Sequence, residues 1–273
     1  MKRIAFISLL LAIAIYFIFL RPMNEVVVYQ YQPIAKFDHD IDFFTQGFEY
    51  RNGAFYESSG LRGASELRVT QISTGEILQK RSLDELYFGE GITIFEDQIF
   101  QLTWQSGKGF IYDLKTLELI GEFSVNGEGW GLTNDGQKLI MSNGSDRLIF
   151  LDPKTLEPTG EVSVKLGGTP QFLLNELEFI NGDVWANIWK DDQIVVVDLS
   201  TGNVKSIIDL SNFSERRNSH DVSNGIAFNK NHNTVYVTGK NWSHIYALKL
   251  DKKKIYNRTY FSRAITRFGF LVR

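Results

Sequence analysis

Eight side chains in this sequence could do chemistry, and they recur at regular intervals. Gln46, Glu90, Trp130, Asn175 and Asn224 occupy one position in five similar segments: Thr45-Gln46-Gly47-Phe48-Glu49, Gly89-Glu90-Gly91-Ile92-Thr93, Gly129-Trp130-Gly131-Leu132-Thr133, Leu174-Asn175-Glu176-Leu177-Glu178 and Ser223-Asn224-Gly225-Ile226-Ala227. Fourteen residues further on in the first four, and sixteen in the fifth, stand Gly60, Trp104, Gly144, Trp189 and Lys240. Brought together, these positions supply one carboxylate, one ammonium, three indoles and several amides. Indoles that exclude water raise a carboxyl pKa toward the range useful for proton transfer. A lysine beside carboxamides can stabilise developing negative charge on oxygen. Taken singly each residue has a structural explanation, since an acid between glycines is often an exposed turn and a strand-end tryptophan is often core. Their convergence would make them a site.

Convergence requires a repeating, closed architecture. The five positions are 44, 40, 45 and 49 residues apart, the spacing of propeller blades. Each segment leads into a strand, a turn rich in Asn, Asp or Gly (Asn52-Gly53, Asn134-Asp135-Gly136, Asn181-Gly182-Asp183) and a second strand, a hairpin signal. A third strand ends in a recurring turn, as in Asp113-Leu114-Lys115-Thr116 and Asp152-Pro153-Lys154-Thr155, before a fourth such as 119–125 or 160–164. The sequence therefore predicts an all-β fold, a five-bladed β-propeller over residues 25–250. The fifth unit lacks a fourth strand after Leu250, and Val26 to Phe37 has the pattern to supply it, which would close the ring and remove a free edge. Trp185 aligns with the strand-body residues Tyr56, Phe100 and Tyr236 and reads as packing.

The termini stand apart. Lys2 and Arg3 precede the uncharged stretch 4–20, so residues 1–24 read as an amino-terminal transmembrane or signal helix. No small-x-small cleavage pattern follows Leu20, which favours an uncleaved anchor with the remainder exported to the periplasmic or cell-surface side; a cleaved, secreted form is the alternative. Residues 251–273 form an extension with seven Lys or Arg, one acid and interleaved aromatics, read as solvated or as lying on an anionic membrane surface. A net charge of −3 gives no global signal for nucleic acid, and the absence of cysteine excludes disulfides, thiolate metal sites and a thiol nucleophile. The four histidines, His39, His220, His232 and His244, form no ligand pair on one element, which argues against a zinc mechanism.

Seven segments in order resemble the plant and bacterial type of glutaminyl-peptide cyclotransferase. They are Phe44-Thr45-Gln46-Gly47, Phe88-Gly89-Glu90-Gly91, Leu102-Thr103-Trp104, Glu128-Gly129-Trp130-Gly131-Leu132, Leu174-Asn175-Glu176-Leu177-Glu178, Asn224-Gly225-Ile226-Ala227 and Thr238-Gly239-Lys240. The resemblance covers about residues 38–250. It implies a five-bladed propeller with a central site, a peptide or protein substrate bearing an amino-terminal glutamine, and pyroglutamate and ammonia as products; no metal or cofactor is expected. It further implies Glu90 as the essential acid/base, with Phe44, Gln46, Phe88, Trp104, Trp130, Asn175, Trp189 and Lys240 lining the pocket. Asn224 is counted with the substrate-binding residues. Asn241-Trp242-Ser243-His244 departs from the family's usual continuation after the lysine.

The implied reaction suits these residue types. The α-amine attacks the side-chain amide of the same residue, so the barrier lies in holding a rotamer and moving protons. One carboxyl group can take the proton from the attacking nitrogen and give it to the leaving one, and Glu90 is the expected shuttle. Lys240, expected beyond contact distance of Glu90, would stabilise the oxyanion with the amides of Asn175 and Gln46. Two other classes stay open: a Ca²⁺-dependent, lactonase-like hydrolase using Asp221, Asn175, Asn224 and Glu90, and a non-catalytic envelope scaffold for peptide ends.

Overall fold

The computed structural model describes residues 26–253 apart from Ser214 and Arg216, so the expected amino-terminal helix and most of the basic extension lie outside the described residues. Within them the chain is all strand and turn. The first strand, β1 (Val27–Asp38), is followed by β2 (Thr45–Arg51), β3 (Ala54–Ser59), β4 (Glu66–Gln71) and β5 (Ile77–Ser82), which form one antiparallel sheet. A second contains β6 (Gly89–Phe95), β7 (Gln98–Thr103), β8 (Lys108–Asp113) and β9 (Leu119–Ser124). A third contains β10 (Leu132–Asn134), β11 (Leu139–Met141), β12 (Arg147–Leu151) and β13 (Pro158–Ser163), followed by a ribbon of β14 (Lys165–Leu166) and β15 (Thr169–Pro170). The remaining strands, β16 (Leu174–Ile180), β17 (Asp183–Ile188), β18 (Gln193–Asp198), β19 (Val204–Asp209), β20 (Ser223–Asn229), β21 (Thr234–Gly239) and β22 (His244–Lys253), join β1 in an eight-stranded sheet of order β16-β17-β18-β19-β1-β22-β21-β20.

The position of β1 explains that long sheet. It runs antiparallel to β22 from Val28 opposite Lys253 to Asp38 opposite His244, and its start pairs in parallel with β19, Val27 opposite Ser206. The amino-terminal strand therefore completes the last four-stranded unit, as its sequence pattern predicts. β22 runs to Lys253, three residues beyond the expected boundary at 250. Tight turns set the register. Asp113, Asp152 and Asp198 each accept two backbone N–H bonds from the turn that follows, which accounts for the recurring Asp-x-x-Thr/Ser pattern.

The inner strands touch in cyclic order, β2 to β6, β6 to β10, β10 to β16, β16 to β20 and β20 to β2, giving a propeller-like ring. The apolar core is divided among the five junctions. Leu67 and Val69 meet Ile92 and Ile99; Phe100 and Leu102 meet Leu132 and Leu139; Ile140 and Leu148 meet Leu177 and Val184. Trp185 and Ile194 meet Ile226 and Val235, and Phe48 and Phe55 meet Ala227 and Tyr236. Trp185 is thus core. Because the hydrophobic surface is spent between sheets, the axis is left to polar side chains.

Close approach of the inner strands explains the residue after each site position. A Cβ at Gly131 would lie 2.0 Å from the Asn175 carbonyl oxygen, and one at Gly91 would lie 2.5 Å from the Leu132 nitrogen. The fourth unit has Glu176 there instead. Its buried carboxylate crosses the axis, Oε1 accepting the Phe48 N–H at 3.3 Å and Oε2 the Ile226 N–H at 2.9 Å. Glu49 and Glu178 act similarly, accepting the N–H groups of Ile94 and Phe228. Burial pushes all three carboxyls up, Glu49 to about 7; the Glu49 charge adds to the rise at Glu176 and Glu178.

Candidate active site

Four of the five aligned positions coincide with an interruption in the hairpin ladder. The pairing of inner and second strands shifts register between Thr45 and Gly47, Gly89 and Ile92, Leu174 and Leu177, and Ser223 and Ile226. Such bulges re-aim a side chain out of the alternating pattern, and the displaced residues are Gln46, Glu90, Asn175 and Asn224. In the third unit β10 begins only at Leu132, later than the repeat implies. Trp130 instead donates its N–H to the Ser142 carbonyl, and the Ser142 hydroxyl accepts from the Gly131 N–H.

One mouth of the ring opens into a cavity of about 640 Å³ lined by Phe44, Gln46, Phe88, Glu90, Trp104, Trp130, Asn175, Trp189 and Lys240, together with Lys190, Ser219, His220 and Val222. Nine of the ten residues singled out in the sequence are therefore on its wall. The exception is Asn224, which lies behind it, fully buried. Its amide donates to Gln46 Oε1 and to the Thr45 carbonyl, each at 3.0 Å. With its oxygen so engaged, Gln46 turns its Nε2 to Glu90 Oε1 at 3.1 Å. Asn224 thus sets which end of the Gln46 amide faces the carboxyl group, and Glu90 Oε2 has no protein partner among the described residues.

Aromatic rings form the walls. Phe44 packs edge-on to Phe88, with centroids 6.2 Å apart; Phe88 lies 5.6 Å from Trp104; Trp130 meets Trp189 edge-on at 5.4 Å. The glycines of the second ring make room for them. A Cβ at Gly60 would sit 2.3 Å from the Phe88 ring, and one at Gly144 2.6 Å from Trp130 Cη2. Neither glycine is a spacer of convenience; each is the floor under an aromatic.

Two ionisable groups are buried here, Glu90 at 4% exposure and Lys240 at 4%. Burial pushes Glu90 well above the usual carboxyl range, assisted by the Glu128 charge and opposed by Lys240. Burial lowers Lys240 to about 8, with Glu90 opposing. The two make no ion pair among the described residues, as expected from sequence. The Lys240 ammonium lies 5.0 Å from the centroid of the Phe44 ring, a cation–π arrangement.

Three features escaped sequence reasoning. Glu128 anchors two of the indoles: its Oε2 accepts the N–H of Trp104 and of Trp130, each at 2.9 Å. Ser219, His220 and Val222 come from the loop between β19 and β20, whose length accounts for the widest repeat interval. That loop is fastened by the segment that follows Lys240. Glu215 accepts from the Ser243 N–H and hydroxyl, His244 Nδ1 and the Tyr246 hydroxyl, while Trp242, wholly buried, donates to the Asp221 carbonyl. The departure at 241–244 is therefore a loop clamp behind the wall. Asp221 belongs to the same clamp. Its carboxylate accepts the N–H groups of Arg217 and Asn218 and the Asn241 amide, and it is not among the residues that line the cavity.

Comparison with known proteins gives a consistent result. The family model described as glutamine cyclotransferase matches residues 9–250. A glutaminyl-peptide cyclotransferase of Arabidopsis thaliana is 38% identical over 235 residues, covering 84% of this chain and 72% of that protein. The crystal structure of Myxococcus xanthus glutaminyl cyclase superposes with a TM-score of 0.79 at 31% identity, covering 84% of this chain and all of the other.

Proposed function

The chain belongs to the glutamine cyclotransferase family, and from that premise we propose that this five-bladed propeller converts an amino-terminal glutamine of a peptide or protein into pyroglutamate with release of ammonia. The observation that carries the reading is the state of Glu90: buried, caged by aromatics, held on one oxygen by Gln46 and free of a cation at contact distance among the described residues. An elevated carboxyl pKa matches it to the α-amine of a peptide, ordinarily about 7.7–8.0. The two can then share a single proton.

In the proposed sequence the substrate enters with that proton on either partner. Glu90 holds it while the neutral α-nitrogen attacks the side-chain amide carbon, forming the C–N bond of the five-membered ring. The carbonyl electrons move onto oxygen, where Lys240, Asn175 and the amide of Gln46 are the candidate donors. Glu90 gives the proton it holds to the departing nitrogen and becomes a carboxylate, the second C–N bond breaks, and ammonia leaves as the carbonyl re-forms. The ring nitrogen, which carries excess positive charge after attack, gives a proton to that carboxylate and restores the starting state of Glu90. No water is consumed, which suits a cavity walled by Phe44, Phe88, Trp104, Trp130 and Trp189. Nothing in this sequence of steps calls for a metal ion.

Incubation with a Gln-initiated peptide, monitored by ammonia release and by mass, tests the assignment; the same peptide with a blocked α-amine is the control. Ammonia from the free peptide alone is expected. Binding without turnover would instead favour a peptide-end scaffold, and activity abolished by a chelator and restored by Ca²⁺ the lactonase-like alternative. We further propose that residues 4–20 anchor the protein with the ring on the exported side of a membrane, which fractionation and protease accessibility in intact cells would test.

A further inference from the structure

We propose that Glu128, which does not itself line the cavity, is a positioning residue that locks Trp104 and Trp130 into one rigid wall and fixes a negative charge behind it. The proposal rests on the cyclase reading above. Its geometric basis is the sharing of one oxygen. Glu128 Oε2 accepts the Trp104 N–H and the Trp130 N–H, both at 2.9 Å, and Oε1 accepts the Gln105 amide at 2.8 Å. Trp104 follows β7 in the second unit, and Trp130 precedes β10 in the third. One side chain in the loop between β9 and β10 therefore ties walls contributed by two units. An indole N–H can only donate, so each ring has a single polar contact with which to fix its rotation about the side chain. Both use it here.

The arrangement has a second consequence. Partial burial works to raise the Glu128 carboxyl, but its three donors together hold it below the usual range, so it is charged near neutrality. The charges that act on Glu90 are those of Lys240, just after β21, and of Glu128 behind the indoles, in opposite senses; Lys190 and His220 are the other titratable groups on the cavity wall. The other neighbours, Gln46 from β2, Phe88 ahead of β6 and Asn175 from β16, are uncharged. Arg62 approaches the Trp104 ring, its guanidinium carbon 6.0 Å from the centroid. Glu128 thus helps keep the proton on Glu90 while Lys240 draws it off.

Two substitutions separate position from charge. Glu128→Ala removes the shared acceptor, and kcat/KM is expected to fall about 10–100-fold, the scale of a wall displaced by an ångström. The near-UV circular dichroism of the indoles should change while the thermal midpoint stays near that of wild type. Glu128→Gln retains an acceptor oxygen but no charge. Its rate at its own optimum should stay near wild type, while the acid limb of kcat/KM, which reports the free enzyme, moves to lower pH. An alanine variant with wild-type kcat/KM and unchanged near-UV signal overturns the proposal, as does a glutamine variant whose acid limb coincides with that of wild type. Should the wild-type protein release no ammonia, the cyclase reading falls, and the near-UV comparison still decides whether Glu128 orders the indoles.

Discussion

Replacing Glu176 with alanine should destabilise the ring far more than its single side chain implies. The residue belongs to β16, yet its two oxygens take N–H groups from β2 and β20, so it bridges three inner strands. With 1% exposure the site has no bulk water to replace it. Alanine leaves two buried donors unsatisfied, at about 1–3 kcal/mol each, for a total of about 2–6 kcal/mol. Domains are stable by about 5–15 kcal/mol, so the upper end approaches complete loss of folding. A chain of this size loses about 2–4 °C of midpoint per kcal/mol, which converts the range to a fall of about 4–24 °C. Glu176→Gln keeps one acceptor oxygen and should lose roughly half as much. Thermal unfolding followed by far-UV circular dichroism, with urea titration as a second measure, gives both values. An alanine variant within about 2 °C of wild type would refute the reasoning, because the two N–H groups would then have other partners or little cost.

Stability should decline as pH rises from about 4.5 to 7. The Glu49 carboxyl is raised from 4.5 to about 7, so its contribution is complete below 4.5 and is lost as pH climbs through 7; Glu49→Gln should flatten that slope in urea midpoints. His39 acts in the same direction. Burial works to lower it, but pairing with Glu57 at 3.0 Å and donation to the Trp242 carbonyl raise it above 6.5, and its contribution disappears as pH passes its folded value. For Lys240, depressed to about 8, kcat should fall as pH rises through that value because the oxyanion loses its cation. Lys240→Ala should lower kcat more than it changes KM; an effect confined to KM would contradict the role. Gly144→Ala forces a methyl to within 2.6 Å of Trp130 at a backbone φ of +79°, so kcat/KM should drop with a stability loss of about 1–2 kcal/mol.

Much of this molecule was legible because a repeat turns spacing into geometry. Alignment of five short segments was enough to gather Gln46, Glu90, Trp130 and Asn175 at one mouth, and counting forward found Trp104, Trp189 and Lys240. The pattern of Val26 to Phe37 likewise told where the amino-terminal strand would pair. What spacing could not tell was depth. Asn224 occupies the same register as Glu90, yet packing carries it behind Gln46, where it orients a neighbour. Glu128 and Glu215 gave no periodic signal because their partners, indole N–H groups and a clamp on an irregular loop, are set by tertiary approach. Phe44 and Phe88, placed by resemblance alone, do lie on the wall.

The most direct test of the account is the rate of ammonia release from a Gln-initiated peptide by wild type and by Glu90→Gln. The amide fills the same space and can still meet Gln46 across the same gap, but it cannot carry a proton between nitrogens. A loss of about 10²–10⁴-fold in kcat with KM little changed is the predicted result. Turnover within a fewfold of wild type would contradict it, for the proton would then be travelling by a route that does not pass through this carboxyl group.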